Sequence, residues 1–125
     1  MNTRHDTAKT TLFTAWSSEI AASRQARRTG DRAAAWQHLE RAHIISQPLA
    51  GRHVRTHLAM LRFALRTADV REIAGQLFRI VVAAPGSLTG RYPAGNTGGA
   101  DVSAFEPMPI PDDLSMILRA GTGRA

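Results

Sequence analysis

The sequence predicts an all-α fold in which two helical hairpins, tetratricopeptide-like in length, form a compact four-helix domain. Before Pro85, apolar residues recur mostly at the three- and four-residue intervals of amphipathic helices. Residues that cap or break helices divide this region into four stretches. Residues 26–31 also resemble residues 64–69, which indicates that one helix–turn–helix unit occurs twice. Because two units are fewer than a solenoid normally contains, a compact domain is expected instead.

The four predicted helices have recognisable ends. Asp31 and Asp69 are suitable N-cap residues for the second and fourth helices. Gly30 and Pro48 follow the first and second helices as breakers. In order, the helices are expected at about residues 11–28, 31–45, 49–67 and 69–85.

The two ends of the chain differ from this helical region. Residues 1–10 are polar and predict a flexible N-terminal arm, ahead of a four-helix domain over residues 11–85. Residues 86–125 begin with a Gly/Pro-rich stretch and predict an irregular C-terminal strap. Apolar residues within that stretch predict that the strap packs on the helices. A short final helix is expected at residues 114–119.

Composition limits the compartment and the kinds of site. The chain contains no cysteine, which excludes disulfides and thiolate metal sites, so a metal would need His, carboxylate or water as ligands. Residues 1–10 lack the apolar core of a signal peptide, and no apolar run approaches the length of a membrane span. A cytoplasmic protein without a membrane partner is therefore expected.

The chain is basic, with a formal net charge of +6 and a pI of about 11.4. This charge raises nucleic acid as a partner. However, the arginines are scattered over every predicted helix, and Tyr92 is the single tyrosine. No basic stripe with interleaved aromatic residues is present, so nucleic-acid binding is not favoured.

The most informative feature is a set of His and Glu residues placed to meet between the second and third helices. His53 and His57 lie one turn apart on one face of the third helix, and Glu40 and His43 form an i, i+3 pair on the second. A short turn makes these helices antiparallel neighbours, so the two pairs can converge. Helical metal sites use this arrangement of paired ligands on facing helices.

Two further residues are alternate ligands. His38 lies about 140° from His43 around the second helix, which makes it the weaker candidate. Glu19 corresponds to His57 in the repeat and lies on a helical stripe of small residues, where a buried carboxylate needs a cationic partner. Glu72 is a candidate outer ligand or acceptor.

The ligand types limit the metal. Imidazole with carboxylate and no sulfur suits Zn²⁺, Fe²⁺, Ni²⁺ or Cu²⁺, of which zinc and iron are favoured here. Three His and one Glu would complete a tetrahedral zinc site, and a position left to water would permit hydrolytic chemistry. The chain has no HExxH motif, and it has one ExxH where di-iron bundles have two. Metal handling and a small metalloenzyme both remain open.

Two other interpretations compete with a metal site. The same His and Glu residues can form a metal-free structural network, and the hairpins or the strap can bind a protein partner. A homo-oligomer is also compatible with the sequence. Residues 95–99 (GNTGG) superficially resemble a phosphate-binding loop, but they lack its lysine and its strand–loop–helix context, so a turn is expected.

Several motifs resemble one known family. Residues 38–43 (HLERAH), 95–100 (GNTGGA) and 107–111 (PMPIP), with His53 and His57 between them, are similar to a bacterial family described only as domain of unknown function 3703. The resemblance covers nearly the whole chain. It implies an uncharacterised bacterial protein of about this length and no particular activity.

Overall fold

The computed structural model describes residues 3–122, which fold into five α-helices without a strand in that range. The helices are α1 (Thr3–Arg28), α2 (Arg32–Ser46), α3 (Ala50–Arg66), α4 (Val70–Thr89) and α5 (Asp112–Thr122). α1 packs along α2, α3 packs along α4, and α2 and α3 join the two hairpins. α5 returns to pack on α1 and α2. The predicted all-α class, with paired hairpins and a final helix, is confirmed.

The repeated sequence corresponds to a repeated turn. The side chains of Asp31 and Asp69 each accept a hydrogen bond from the backbone N–H three residues later, at 3.0 and 3.1 Å. The residues just before them, Gly30 and Ala68, both have left-handed backbone conformations, with φ of 81° and 53°. Both hairpins therefore turn in the same way, although alanine adopts this conformation at a cost of about 1–2 kcal/mol.

α1 begins at Thr3 and not near residue 11, so most of the expected N-terminal arm is helical. The side chains from residue 3 to residue 11 are largely exposed, which explains why they show no apolar period. The hydroxyls of Thr7, Thr10 and Thr11 donate to carbonyls four residues earlier and so remain compatible with the helix. Polarity in this segment reflects exposure rather than irregular structure.

α4 also runs beyond its predicted end. Pro85 lies inside the helix, where it removes one backbone hydrogen bond, and the helix ends at Gly90 with φ of 71°. The additional turn carries Ser87, which contacts the site described below. Neither α4 nor another helix within residues 3–122 has both the length and the apolar character needed to cross a bilayer.

The interior has an apolar half and a polar half. Leu12, Ile44, Ile45 and Leu114 form the apolar core where α1, α2 and α5 meet. Between α2, α3 and α4 the buried side chains include imidazoles and amides. The polar half is formed by His43, His53, His57, Gln76 and Asn96, none of them more than 5% exposed.

Residues 91–111 form the irregular strap, and buried amide side chains hold it. Gln47 donates to the carbonyl of Pro93 at 2.8 Å. The Asn96 side chain donates to the carbonyls of Ser103 and Glu106 at 2.8 and 2.7 Å. The strap is ordered by these polar contacts as well as by the apolar residues that predicted its packing.

Candidate metal centre

Three imidazoles meet in the polar half of the interior. His43 lies near the end of α2, and His53 and His57 lie one turn apart near the start of α3. Because residues 47–49 connect these helices directly, the three rings face one another. Their Nε2 atoms are 3.0, 3.1 and 3.2 Å apart, and each residue is at most 5% exposed. These residues are called the His triad below.

The other ring nitrogens of two of these residues donate outward. The Nδ1 of His43 is 2.7 Å from the carbonyl oxygen of Asn96, which can only accept. The Nδ1 of His53 is 2.7 Å from the hydroxyl of Ser87. Since that hydroxyl itself donates to the carbonyl of Gln47, it accepts from His53. Both Nδ1 atoms therefore carry the proton.

The third ring is fixed in the same way. The Nδ1 of His57 is 2.6 Å from Oε1 of Gln76. The Gln76 amide is oriented because its nitrogen donates to Glu72 at 3.1 Å and to the carbonyl of Gly98 at 2.8 Å. Its oxygen therefore faces His57 and accepts from that ring. In neutral rings, all three Nε2 atoms then carry bare lone pairs pointing at one another.

Burial keeps these rings neutral at ordinary pH. Loss of solvent, reinforced by the nearby ring of His57, lowers the pKa of His53 to about 3. Burial lowers the pKa of His57 to about 4, although the hydrogen bond that this ring donates to Gln76 acts to raise it. The pKa of His43 lies well below its ordinary range, first through burial and then through the other two rings. No proton is thus held between the three lone pairs near pH 7.

The distances fit a small metal ion. An ion about 2.0–2.1 Å from each Nε2 atom, the usual zinc–imidazole distance, would lie about 1 Å from the plane of the three atoms. Neutral imidazole with its second nitrogen donating to a carbonyl or hydroxyl oxygen is also the state that metal sites select. The His triad is the one group of clustered His, Cys, Asp or Glu residues within residues 3–122 that could hold a metal.

A cavity of about 150 Å³ lies beside the His triad. It leaves room for a fourth ligand next to the three rings. Its wall includes the triad itself, Arg79, Val82, Tyr92 and Phe105.

Gly98 allows the strap to close over the triad. Its φ is +85°, and a Cβ atom at this position would lie 2.6–2.9 Å from atoms of the His43 ring. An alanine could not fit there without displacing the imidazole. The sequence predicted a turn at residues 95–99; the structure has a turn at residues 94–95, and the irregular stretch that follows it covers the site.

Glu40 does not join the three rings. It lies one turn before His43 on α2 and is half-buried. Burial is the largest cause of its raised pKa, followed by the charge of Asp101, while a hydrogen bond with Thr97 opposes the rise. Three residues of helix separate the Cα atoms of Glu40 and His43 by about 4.5 Å along the axis.

Glu19 and His38 form a separate cluster. The Nδ1 of His38 is 2.6 Å from one oxygen of Glu19, and Nε of Arg41 donates to the other at 2.9 Å. Arg41 also pairs with Asp113 at the start of α5. Of the six ligands proposed from the sequence, the structure brings together the three of the His triad.

Four residues around the triad were not predicted. They are Gln76, Arg79, Ser87 and Asn96, three of them on α4 and one in the strap. The clue in the sequence is polar residues at helical spacing, Glu72, Gln76 and Arg79, in an otherwise apolar helix. Glu72, predicted as an outer acceptor, lies one hydrogen bond beyond Gln76.

Comparison with known proteins supports one assignment. A family model described as a protein of unknown function, DUF3703, matches residues 10–118. No curated protein and no solved structure matches the chain.

Proposed function

The chain belongs to the DUF3703 family, and we propose that it binds a divalent transition metal at His43, His53 and His57. Zinc is the favoured ion. Three imidazoles with an open fourth position are a known zinc ligand set. Non-haem iron sites typically use two His and one carboxylate, and no carboxylate joins the triad within residues 3–122.

The observation that carries this proposal is the direction of the lone pairs. Each Nδ1 donates to an oxygen, so the three Nε2 atoms at 3.0–3.2 Å separation have no proton to share. Buried acceptors without a donor are unfavourable, and three facing lone pairs repel each other. A metal-free structural network would place a donor between them. A bound cation would accept all three lone pairs and so remove the repulsion between them.

The surroundings support a resident metal with a free coordination position. The triad is buried and each ring is fixed by its own hydrogen bond, which favours retention of the metal over its transfer. Bound zinc would lower the pKa of a coordinated water towards neutrality and so supply a nucleophile. Asn96, Gln76 and Ser87 hold the rings, and the strap limits access of solvent. A cytoplasmic location, favoured by the cysteine-free sequence, belongs to the same proposal.

Metal content tests the proposal directly. We expect purified protein, stripped with chelator and reloaded with zinc, to hold one zinc per chain by elemental analysis. The variant His53→Ala/His57→Ala should hold almost none. The matched control His5→Ala/His38→Ala also removes two imidazoles, but from outside the triad, and should hold one. Equal zinc in all three proteins, or none in the wild type, would reject the assignment.

A further inference from the structure

Arg79 is a buried cation beside the His triad. It is 7% exposed and lines the same cavity. Its two terminal nitrogens donate to the carbonyls of Gly75 and Val102 at 3.2 and 2.6 Å. Its Nε atom is buried and has no hydrogen-bond partner among residues 3–122. Within that range no carboxylate forms an ion pair with it either.

This guanidinium adds positive charge where a metal is proposed to bind. Arg79 lines the same cavity as the three rings, so its charge lies close to their Nε2 atoms. Glu72 and Asp101 act on it only through longer-range attraction. A buried cation next to a divalent ion is unfavourable unless an anion lies between them.

We infer that the cavity binds a small carboxylate, with its oxygens shared between the metal and Arg79. A planar guanidinium matches carboxylate geometry, and each terminal nitrogen of Arg79 has a second N–H besides the one that donates to a backbone carbonyl. Val82, Ala83 and Phe105 contribute apolar wall suited to a short hydrocarbon body, beside the polar side chains of Gln47, Arg91 and Asn96. At about 150 Å³ the cavity is close to the size that holds benzene, which limits the ligand to a few carbon atoms. The inference rests on the proposed metal site.

Cobalt-substituted protein separates the two proposals. Co²⁺ in the triad gives visible absorption bands, and a carboxylate entering its open position changes them. We expect propionate to shift these bands saturably. In Arg79→Met the bands of the resting site should remain, while the affinity for propionate falls about ten- to hundredfold. Arg71→Met, an exposed arginine on the same helix, should bind propionate like the wild type.

Each result has a distinct meaning. Absence of cobalt bands in the wild type would reject the metal site itself. Normal bands with no response to propionate, or an equal response in Arg79→Met, would overturn the carboxylate inference alone. A response to phosphate and not to propionate would overturn it as well. If Arg79→Met does not fold, Arg79→Lys keeps the charge without the planar fork and should weaken propionate binding.

A second, independent observation concerns the outer face of α4. The helix buries Glu72, Gln76 and Arg79 on its inner side and exposes most of its large apolar residues. Its exposed large apolar residues are Val70, Leu77, Phe78, Val81 and Leu88, each between 50% and 79% exposed. This is the reverse of an ordinary surface helix, because the site requires polar groups on the inner side.

The exposed residues follow a heptad pattern. Val70, Leu77, Val81 and Leu88, with Ala74 and Ala84 between them, occupy consecutive a and d positions. Such a seam is complementary to itself. With Phe78 and Phe105 it offers on the order of 700 Å² per copy, near the roughly 800 Å² per partner of a stable interface. We infer that two copies of the chain pair through α4, antiparallel, so that the two Arg71 side chains lie at opposite ends.

Oligomeric state tests this pairing. Light scattering after gel filtration should give twice the chain mass of 13.6 kDa for the wild type. Val81→Glu should give the chain mass with unchanged helix content, while Met116→Glu, at an apolar residue equally exposed on α5, should stay dimeric. A monomeric wild type, a dimeric Val81→Glu, or wild-type monomer binding to phosphatidylcholine–phosphatidylglycerol vesicles would each overturn it.

Discussion

Two clusters in this molecule contain histidine, and they differ in which polar atoms their hydrogen bonds leave without a partner. In the outer cluster, one carboxylate oxygen of Glu19 accepts from His38 and the other from Arg41, so both oxygens have a donor. In the His triad each ring donates to a neutral oxygen, and three acceptor nitrogens remain without a donor. Unsatisfied, convergent lone pairs therefore distinguish a candidate coordination site from an ion pair more clearly than the number of His and Glu residues does.

The largest expected effect is a loss of protein stability in acid, caused by the His triad. Its rings have pKa values lowered from 6.5, two of them to about 3 and 4, so below pH 6.5 the unfolded chain binds more protons than the folded one. Metal-free protein should lose stability as the pH falls from 6.5 towards 4. The free energy of unfolding should fall by up to about 1.4 kcal/mol per pH unit for each ring, or by roughly 4 kcal/mol per pH unit for all three. Urea unfolding in chelator at several pH values measures it.

The variant His53→Leu/His57→Leu provides the comparison. It removes two of the three titrating rings and should flatten the dependence of unfolding free energy on pH. A slope as steep as that of the wild type would mean that the triad is not held neutral by burial.

Gly98→Ala should be the next largest perturbation. The left-handed backbone alone costs about 1–2 kcal/mol for alanine, and the added methyl would contact the His43 ring at under 3 Å. We expect lower stability and weaker zinc binding together, because the ring must move. Gly51→Ala is the matched control, since that glycine lies in α3 with no atom near its missing Cβ. Zinc affinity equal in both variants would contradict the close approach of the strap.

Gln76→Leu should weaken zinc binding by about 10–100-fold, because His57 would lose the acceptor that fixes its tautomer. Gln76→Glu retains an acceptor and should bind zinc at least as well as Gln76→Leu does. Gln25→Leu, the same change at an exposed site on α1, should have no effect. Competition with a chelating dye measures all three affinities. Equal affinities for Gln76→Leu and the wild type would show that the amide does not tune the site.

Part of the site was predictable because it depends on local spacing. His53 and His57 share a helical face by their four-residue separation, and a three-residue connection brings His43 to them. Glu40 was expected to join the rings because it shares a face of α2 with His43. Residues on one helical face can still lie at different heights along the helix axis. The Glu40 side chain lies one turn from the ring that it was expected to join.

The remainder depends on contacts distant in sequence. Asn96 lies 53 positions from the ring that donates to it, and its contribution is a backbone carbonyl, which any residue type has. Gln76 lies on α4. The apolar pattern of that helix predicts a buried apolar face, whereas the structure exposes that face and buries Gln76. Where polar side chains fill the interior, hydrophobic periodicity still identifies the helix, but it predicts the wrong face of that helix to be buried. The start of α1 was missed for a different reason, because its exposed side chains show no apolar period.

The smallest effect is expected in the outer cluster. His38→Ala removes a partly exposed imidazole from Glu19, and Arg41 still pairs with that carboxylate. Such surface pairs contribute about 0.2–1 kcal/mol, so unfolding in urea should shift only slightly. Zinc stoichiometry should remain one per chain, since His38 lies on a different side of α2 from His43. If His38→Ala instead lost its zinc while His43→Ala kept it, the roles of the two clusters would be reversed, and unsatisfied lone pairs would not be the property that binds metal.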